Sequence, residues 1–195
     1  MGVSTFPKSI FWRVMLADFQ RGGMIAMAHY QGDKANLRQL GSYGITKVVV
    51  HTRDPRACLW SWLYYYRQRP DRFFPDPVAR EAFFRQSDAE QLDYHIDHYF
   101  QNSLDWLTEW DAAIRDQAIE VLLTRYRDFA DNEALFGRIL DFYGIDAEVV
   151  PRTVRHPVQV RLPRTEWRER MPPHINDRIT AMIPDALWRR FGWQP

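Results

Sequence analysis

Cysteine is all but missing from this sequence. Cys58 is the single one in 195 residues, which excludes an internal disulfide framework and any zinc site built from several thiolates. Long apolar runs are missing too. No stretch approaches the ~20 residues of a membrane span, and the N-terminal residues lack the continuous apolar core of a secretory signal. "MGVSTF" opens like a myristoylation site but carries Phe6 where Ser or Thr is required. An excess of one charge is also absent, with 26 Lys and Arg against 25 Asp and Glu, so nothing global favours nucleic acid or an anionic membrane, and any anion site must be local. No Walker pattern G-x-x-x-x-G-K-[ST] occurs, which argues against a P-loop kinase. Together these absences predict a cytoplasmic protein with neither a membrane nor a nucleic-acid partner.

What is present is the material of a packed core. Hydrophobic residues make up 46% of the chain and aromatics 15%, with 8 Trp, so one folded domain over residues 1–195 is expected. The pattern then alternates. Ser9 is a cap for a helix across "IFWRVMLADFQ"; Gly22-Gly23 stops it before a short strand "MIAMAH". Residues 68–87, with Pro70, Pro75 and Pro77, read as an irregular excursion and a lid candidate. Leu92, Ile96, Tyr99, Phe100, Leu104 and Leu107 recur at helical spacing between Asp88 and Gln117, and "IEVLLT" from Ile119 to Thr124 is a second buried strand. Asp131 caps "NEALFGRILDFY", Gly144 stops it, and a terminal helix forms around "PDALWRRFG". The sum is an α/β fold with a largely parallel sheet.

The most informative stretch is "KVVVHTRDPRACLWSWLYYYR", residues 47–67. Three valines between Lys47 and His51 read as a strand buried on both faces. After Thr52 the period changes: Asp54 caps a helix, Pro55 suits its first turn, and Leu59, Trp62, Leu63 and Tyr66 fall at helical spacing. Arg53 therefore stands at the carboxyl end of a strand, where open α/β sheets bind ligands and helix N-termini favour anions. A plainer reading pairs Arg53 with Asp54 or another carboxylate and makes the segment an ordinary loop-to-helix junction.

Several ordered pieces resemble the sulfotransferases that use 3′-phosphoadenosine 5′-phosphosulfate (PAPS). In that family a strand ends in Arg-Asp-Pro-Arg and a serine follows eight residues after the first arginine; here these are Arg53 and Ser61. The resemblance implies that the pair holds the cofactor's 3′-phosphate, a planar fork of donors with a hydroxyl beside it. "LLTRYRDF" is similar to the strand end whose tyrosine lies near the adenine, which makes Tyr126 that residue, although Arg127 replaces the usual glutamate. "DNEALFGRILDFYGI" matches the helix that follows. "VRLPRTEWRERMPP" resembles the segment that closes over the 3′-phosphate, placing Arg161 and Trp167 in register, with Pro163 near the family's glycine. "MAHYQGD" resembles the strand end with the catalytic base, which would be His29: a neutral imidazole able to take the proton of an acceptor hydroxyl. The implied architecture is a three-layer, largely parallel sheet flanked by helices, with PAPS as sulfuryl donor, no metal, and a small-molecule or carbohydrate hydroxyl as acceptor.

The N-terminal end departs from the family. Its phosphosulfate loop reads Pro-Lys-Ser-Gly-Thr-Thr, and "TFPKSIFW" supplies Lys8 as the catalytic lysine and Ser9 as a cofactor donor before Ile10, Phe11 and Trp12 replace Gly-Thr-Thr. Only 21 residues separate Lys8 from His29, several tens fewer than the family spends there. Two readings stay open: an active transferase with part of the N-terminal unit missing, or a nucleotide-binding remnant with impaired catalysis. His95, Asp97 and His98 also hint at a metal, but a helix surface accounts for them and nothing nearby completes a ligand shell.

Overall fold

The computed structural model describes residues 11, 13–21, 29–68, 70, 76–147 and 166–194. In chain order the elements are α1 (Arg13–Gln20), α2 (Lys34–Ser42), β1 (Lys47–Thr52), α3 (Pro55–Gln68), α4 (Pro77–Arg85), α5 (Asp88–His95), a π turn at Ile96–Phe100, α6 (Gln101–Arg115), β2 (Glu120–Arg125), a 3₁₀ turn at Tyr126–Ala130, α7 (Asn132–Tyr143), α8 (Glu166–Arg170), α9 (Pro173–Met182) and α10 (Asp185–Phe191). The protein is a mixed α/β chain, mostly helical, with a parallel pair of strands. The expected cap at Ser9 and most of the strand "MIAMAH" lie outside the described residues.

The chain groups into two compact units, each made from two stretches: Met1–Thr52 with Asn102–Thr153, and Arg53–Gln101 with Val154–Pro195. In the first unit β1 and β2 run parallel with Lys47 opposite Glu120 and Thr52 opposite Arg125. A parallel pair cannot be joined by a tight turn, and the helices α3 to α6 intervene between the two strands. One apolar cluster gathers Phe11, Leu16 and Leu40; another gathers Val50, Trp110 and Ala113 under Val48, Val121 and Leu123. β1 is not buried evenly: Val50 and Thr52 are buried, Val48 and Val49 half-buried, and His51 is exposed. The expectation of burial on both faces is corrected at that residue. Helix ends follow their sequence signals. Asp131 Oδ1 accepts from Ala134 N at 3.0 Å, and Gly144 closes α7 at φ +66°, a left-handed conformation that glycine adopts without penalty.

In the second unit α3 packs against α5, α8 and α9, burying Leu59, Leu63, Leu92, Ile175 and Ile179. Part of the presumed irregular excursion is helical: Asp76 accepts from Val78 N and Pro77 opens α4, the start signal that both residues favour. The expectation of an irregular excursion is corrected to that extent. The capping box of Ser87 and Glu90 starts α5.

Candidate functional site

Arg53 and the first two turns of α3 build the anion-binding candidate. Asp54 caps α3 through Oδ1, which accepts from Arg56 N at 2.9 Å, while its carbonyl takes Cys58 N at 3.0 Å. This cap fixes the first turn and sets Arg53 just before it. Arg53 Nη1 donates to Ser61 Oγ at 2.6 Å, and Ser61 Oγ donates to the Ala57 carbonyl at 2.9 Å. Two turns of helix thus bring together the residues that the eight-residue spacing singled out, because 3.6 residues per turn puts position 61 near the helix face on which the chain enters. Asp54 has its own arginine partner. Asp54 forms a two-point ion pair with Arg56, Nε to Oδ1 at 3.1 Å and Nη2 to Oδ2 at 2.8 Å. Of the two arginines in Arg-Asp-Pro-Arg, Arg56 thus holds the Asp54 carboxylate and Arg53 reaches Ser61, a division that the sequence reading did not extend to Arg56.

Arg56 is 4% exposed. Its guanidinium stands over the rings of Trp167 and Trp188, 5.0 and 4.7 Å from their centroids, and donates through Nη2 to the Gln194 carbonyl. Cation–π contact and three oxygen acceptors make this buried charge tolerable. The signal available in the sequence was the i, i+2 relation of Asp54 to Arg56 at a helix start. At Cys58, beside the site, burial is the largest influence and pushes the thiol up to about 11, which favours its protonated form at neutral pH.

In the first unit, Tyr126 opens the 3₁₀ turn and is 40% exposed. Asp128 Oδ2 holds that turn by accepting from Arg125 N at 2.9 Å. Phe129 meets Tyr126 edge to face at 6.3 Å and His51 at 4.7 Å. His51 Nδ1 lies 2.9 Å from Thr124 Oγ1, and desolvation lowers its pKa against the opposing pull of Asp128. His51 and Phe129, neither singled out by sequence, thus back the expected base-contacting tyrosine. An exposed aromatic held by such ties loses little freedom on stacking with a planar ligand.

His29 is exposed, yet nearby atoms shield its ring enough to lower its pKa below the ordinary imidazole value. The next residue is anchored firmly: the Tyr30 carbonyl accepts from Trp106 Nε1 at 2.6 Å and Trp110 Nε1 at 3.0 Å, and its ring stacks on Phe11 at 4.0 Å. Phe11 is itself buried, with its N–H donating to Asn36 Oδ1 at 3.1 Å. The position that would carry a loop threonine in the family serves core packing here. Lys8, Ser9 and Arg161 lie outside the described residues. Arg53 and Ser61 belong to one unit, Tyr126 and His29 to the other.

The metal hint is corrected at one residue. His95 is buried, not on a helix surface; His98 bonds the Tyr94 carbonyl at 2.7 Å; Asp97 pairs with Arg178. Among the described residues no group of three potential ligands converges, and no helix is long and apolar enough to cross a membrane. Comparison with family models, curated protein sequences and solved structures returned no match for this chain.

Proposed function

We propose that this protein binds PAPS, or the product 3′-phosphoadenosine 5′-phosphate (PAP), with the 3′-phosphate on Arg53 and Ser61, and that it belongs to the sulfotransferases in fold and chemistry. The observation that carries the reading is the 2.6 Å contact between Arg53 Nη1 and Ser61 Oγ at a strand's carboxyl end. A guanidinium and a hydroxyl at hydrogen-bonding distance are already spaced for two oxygens of one phosphate, and the α3 N-terminus adds its partial positive charge. Tyr126 is assigned to the adenine, Ser9 and Arg161 to further cofactor contacts, and Lys8 to the bridging phosphosulfate oxygen.

In the transfer step the acceptor hydroxyl oxygen attacks sulfur in line and the sulfur–oxygen bond to the nucleotide phosphate breaks. That phosphate leaves with the bonding electrons as PAP. His29 takes the hydroxyl proton, a role its lowered pKa suits by keeping the imidazole neutral. The acceptor is a small-molecule or carbohydrate hydroxyl. A second reading, nucleotide binding with little or no turnover, is favoured by the burial of Phe11 in the core, where the family has a flexible phosphate-cradling loop.

Calorimetric titration of PAP into wild type and Arg53→Ala tests the conclusion. The expected result is measurable binding that weakens about tenfold or more in the variant, the size of a lost charge-assisted contact. Equal affinities would remove Arg53 from the site.

A further inference from the structure

We infer that Asn36 is a positioning residue for His29: its buried carboxamide, fixed on α2, bonds both the segment that carries this histidine and the N-terminal segment. The inference rests on the reading of His29 as the general base and adds to it the residue that holds the base in place.

His29 belongs to neither a helix nor a strand, and a residue in such a setting ordinarily keeps more freedom than a general base can have. Here each of the four residues that follow it is pinned. The Tyr30 carbonyl accepts from Trp106 Nε1 at 2.6 Å and Trp110 Nε1 at 3.0 Å. The Gln31 carbonyl accepts from Asn36 Nδ2 at 3.0 Å. Gly32 lies so close to α6 that a Cβ there would meet the Trp110 nitrogen at 3.0 Å. Asp33 caps α2, its Oδ1 accepting from Asn36 N at 2.7 Å.

Asn36 takes part in two of those four ties and adds a third, in which its Oδ1 accepts from Phe11 N at 3.1 Å. It is 1% exposed, so both ends of the carboxamide are engaged where water does not compete for the bonds. The transfer reading assigns the lysine to Lys8, three positions before Phe11, and the base to His29, two positions before Gln31. One side chain therefore joins the two stretches of chain to which the chemistry is assigned. A base displaced by about 1 Å forfeits much of its rate, up to roughly a hundredfold, which is why a support of this kind matters to the reaction and not to stability alone.

The test uses the full chain and the variants Asn36→Ala and Asn36→Leu, the second of which refills the volume without either bond. Deuterium exchange followed by NMR reads the segment through the Trp106 and Trp110 indole N–H groups, which bond the Tyr30 carbonyl. The Leu135 amide, bonded to the Asp131 carbonyl at the start of α7, is the reference. Both indoles are expected to exchange about tenfold faster or more in the variants while Leu135 stays within a few-fold of its wild-type rate, the mark of local loosening. Indole exchange that is unchanged, or that rises only in step with Leu135, would overturn the inference. If Asn36→Ala does not fold, Asn36→Leu carries the comparison.

Single-turnover transfer from labelled PAPS to a phenol, with enzyme in excess, reads the consequence. The variants are expected to slow transfer by roughly tenfold to a hundredfold with PAPS affinity within a few-fold of wild type, as a misplaced base does and a lost binding contact does not. Transfer at the wild-type rate overturns the proposal. Should wild type transfer nothing, the reading of His29 as base falls by itself, and the exchange comparison alone decides whether Asn36 holds its segment.

Discussion

Ser61 Oγ stands between two partners, accepting from Arg53 Nη1 at 2.6 Å and donating to the Ala57 carbonyl at 2.9 Å. With no ligand bound the hydroxyl proton goes to the helix and the oxygen to the arginine, and turning that proton away from the Ala57 carbonyl supplies the donor that Ser61 would offer a phosphate. Ser61→Ala is expected to weaken PAP binding by roughly threefold to tenfold, the value of one neutral hydrogen bond, while the melting temperature changes little. A calorimetric titration paired with a thermal melt separates the two effects. Unchanged affinity would leave Ser61 as a rotamer support for Arg53 only.

Turnover is expected to suffer more than binding. In-line transfer of a charged group depends on donors aimed at charge developing in the transition state, and losing one such donor costs ~10²–10³ in rate. With Ile10, Phe11 and Trp12 in the place of Gly-Thr-Thr, sulfate transfer from labelled PAPS to sugar, phenol and alkyl hydroxyls is expected near background. Robust transfer abolished by His29→Ala and Lys8→Ala would establish a working shortened loop.

Buried His95 predicts an acid-sensitive fold. It shares a 3.0 Å hydrogen bond with the Tyr66 hydroxyl, and burial, the leading influence, holds its pKa down to about 3 against 6.5 for the free side chain. Between those values the unfolded chain binds a proton that the folded chain refuses. Stability from this residue is therefore full above pH 6.5 and falls as the pH drops toward 3, by up to about 1.4 kcal/mol per pH unit. Urea unfolding of wild type and His95→Gln from pH 7 to 4 checks it: the variant is expected to show the shallower slope.

Gln117 ends α6 with a positive φ of 51°. Its N–H bonds the Ile114 carbonyl and Ala118 N–H bonds the Ala113 carbonyl, the same paired closure that Gly44 and Gly144 make on α2 and α7. A side chain at this left-handed position is strained. Gln117→Gly is expected to stabilise the chain by about 0.5–1 kcal/mol in denaturant unfolding, net of the entropy glycine loses.

Gly32 predicts the opposite response. A Cβ there would meet Trp110 Cδ2 at 2.9 Å and the Trp110 backbone nitrogen at 3.0 Å, and a helix backbone cannot retreat as a side chain can. Gly32→Ala is expected to cost roughly 1–3 kcal/mol, measured by the shift of the unfolding midpoint.

How far the sequence was legible depended on whether the deciding interaction was local. Asp131, Gly144 and the valines of β1 carry their signals within a few residues, and α7 and β1 form where those signals place them. The Asp54–Arg56 pair is local, but the burial of Arg56 was not legible, because Trp167, Trp188 and Gln194 lie more than a hundred residues away. His95 was misplaced because a polar side chain was read as surface, although it follows buried Leu92 by three positions and buried Gln91 by four, on the same helix face. α4 was overlooked because three nearby prolines read as loop, when Pro77 sits at the one helical position proline favours.

The bond between Arg56 and Gln194 spans 138 positions of chain, which sets an order of events during synthesis. The unit built from Arg53–Gln101 and Val154–Pro195 completes the burial of Arg56 only when residue 194 has been made, whereas the other unit has all of its residues by Thr153. A nascent chain therefore carries the Asp54–Arg56 pair long before the Gln194 carbonyl that Arg56 Nη2 also donates to.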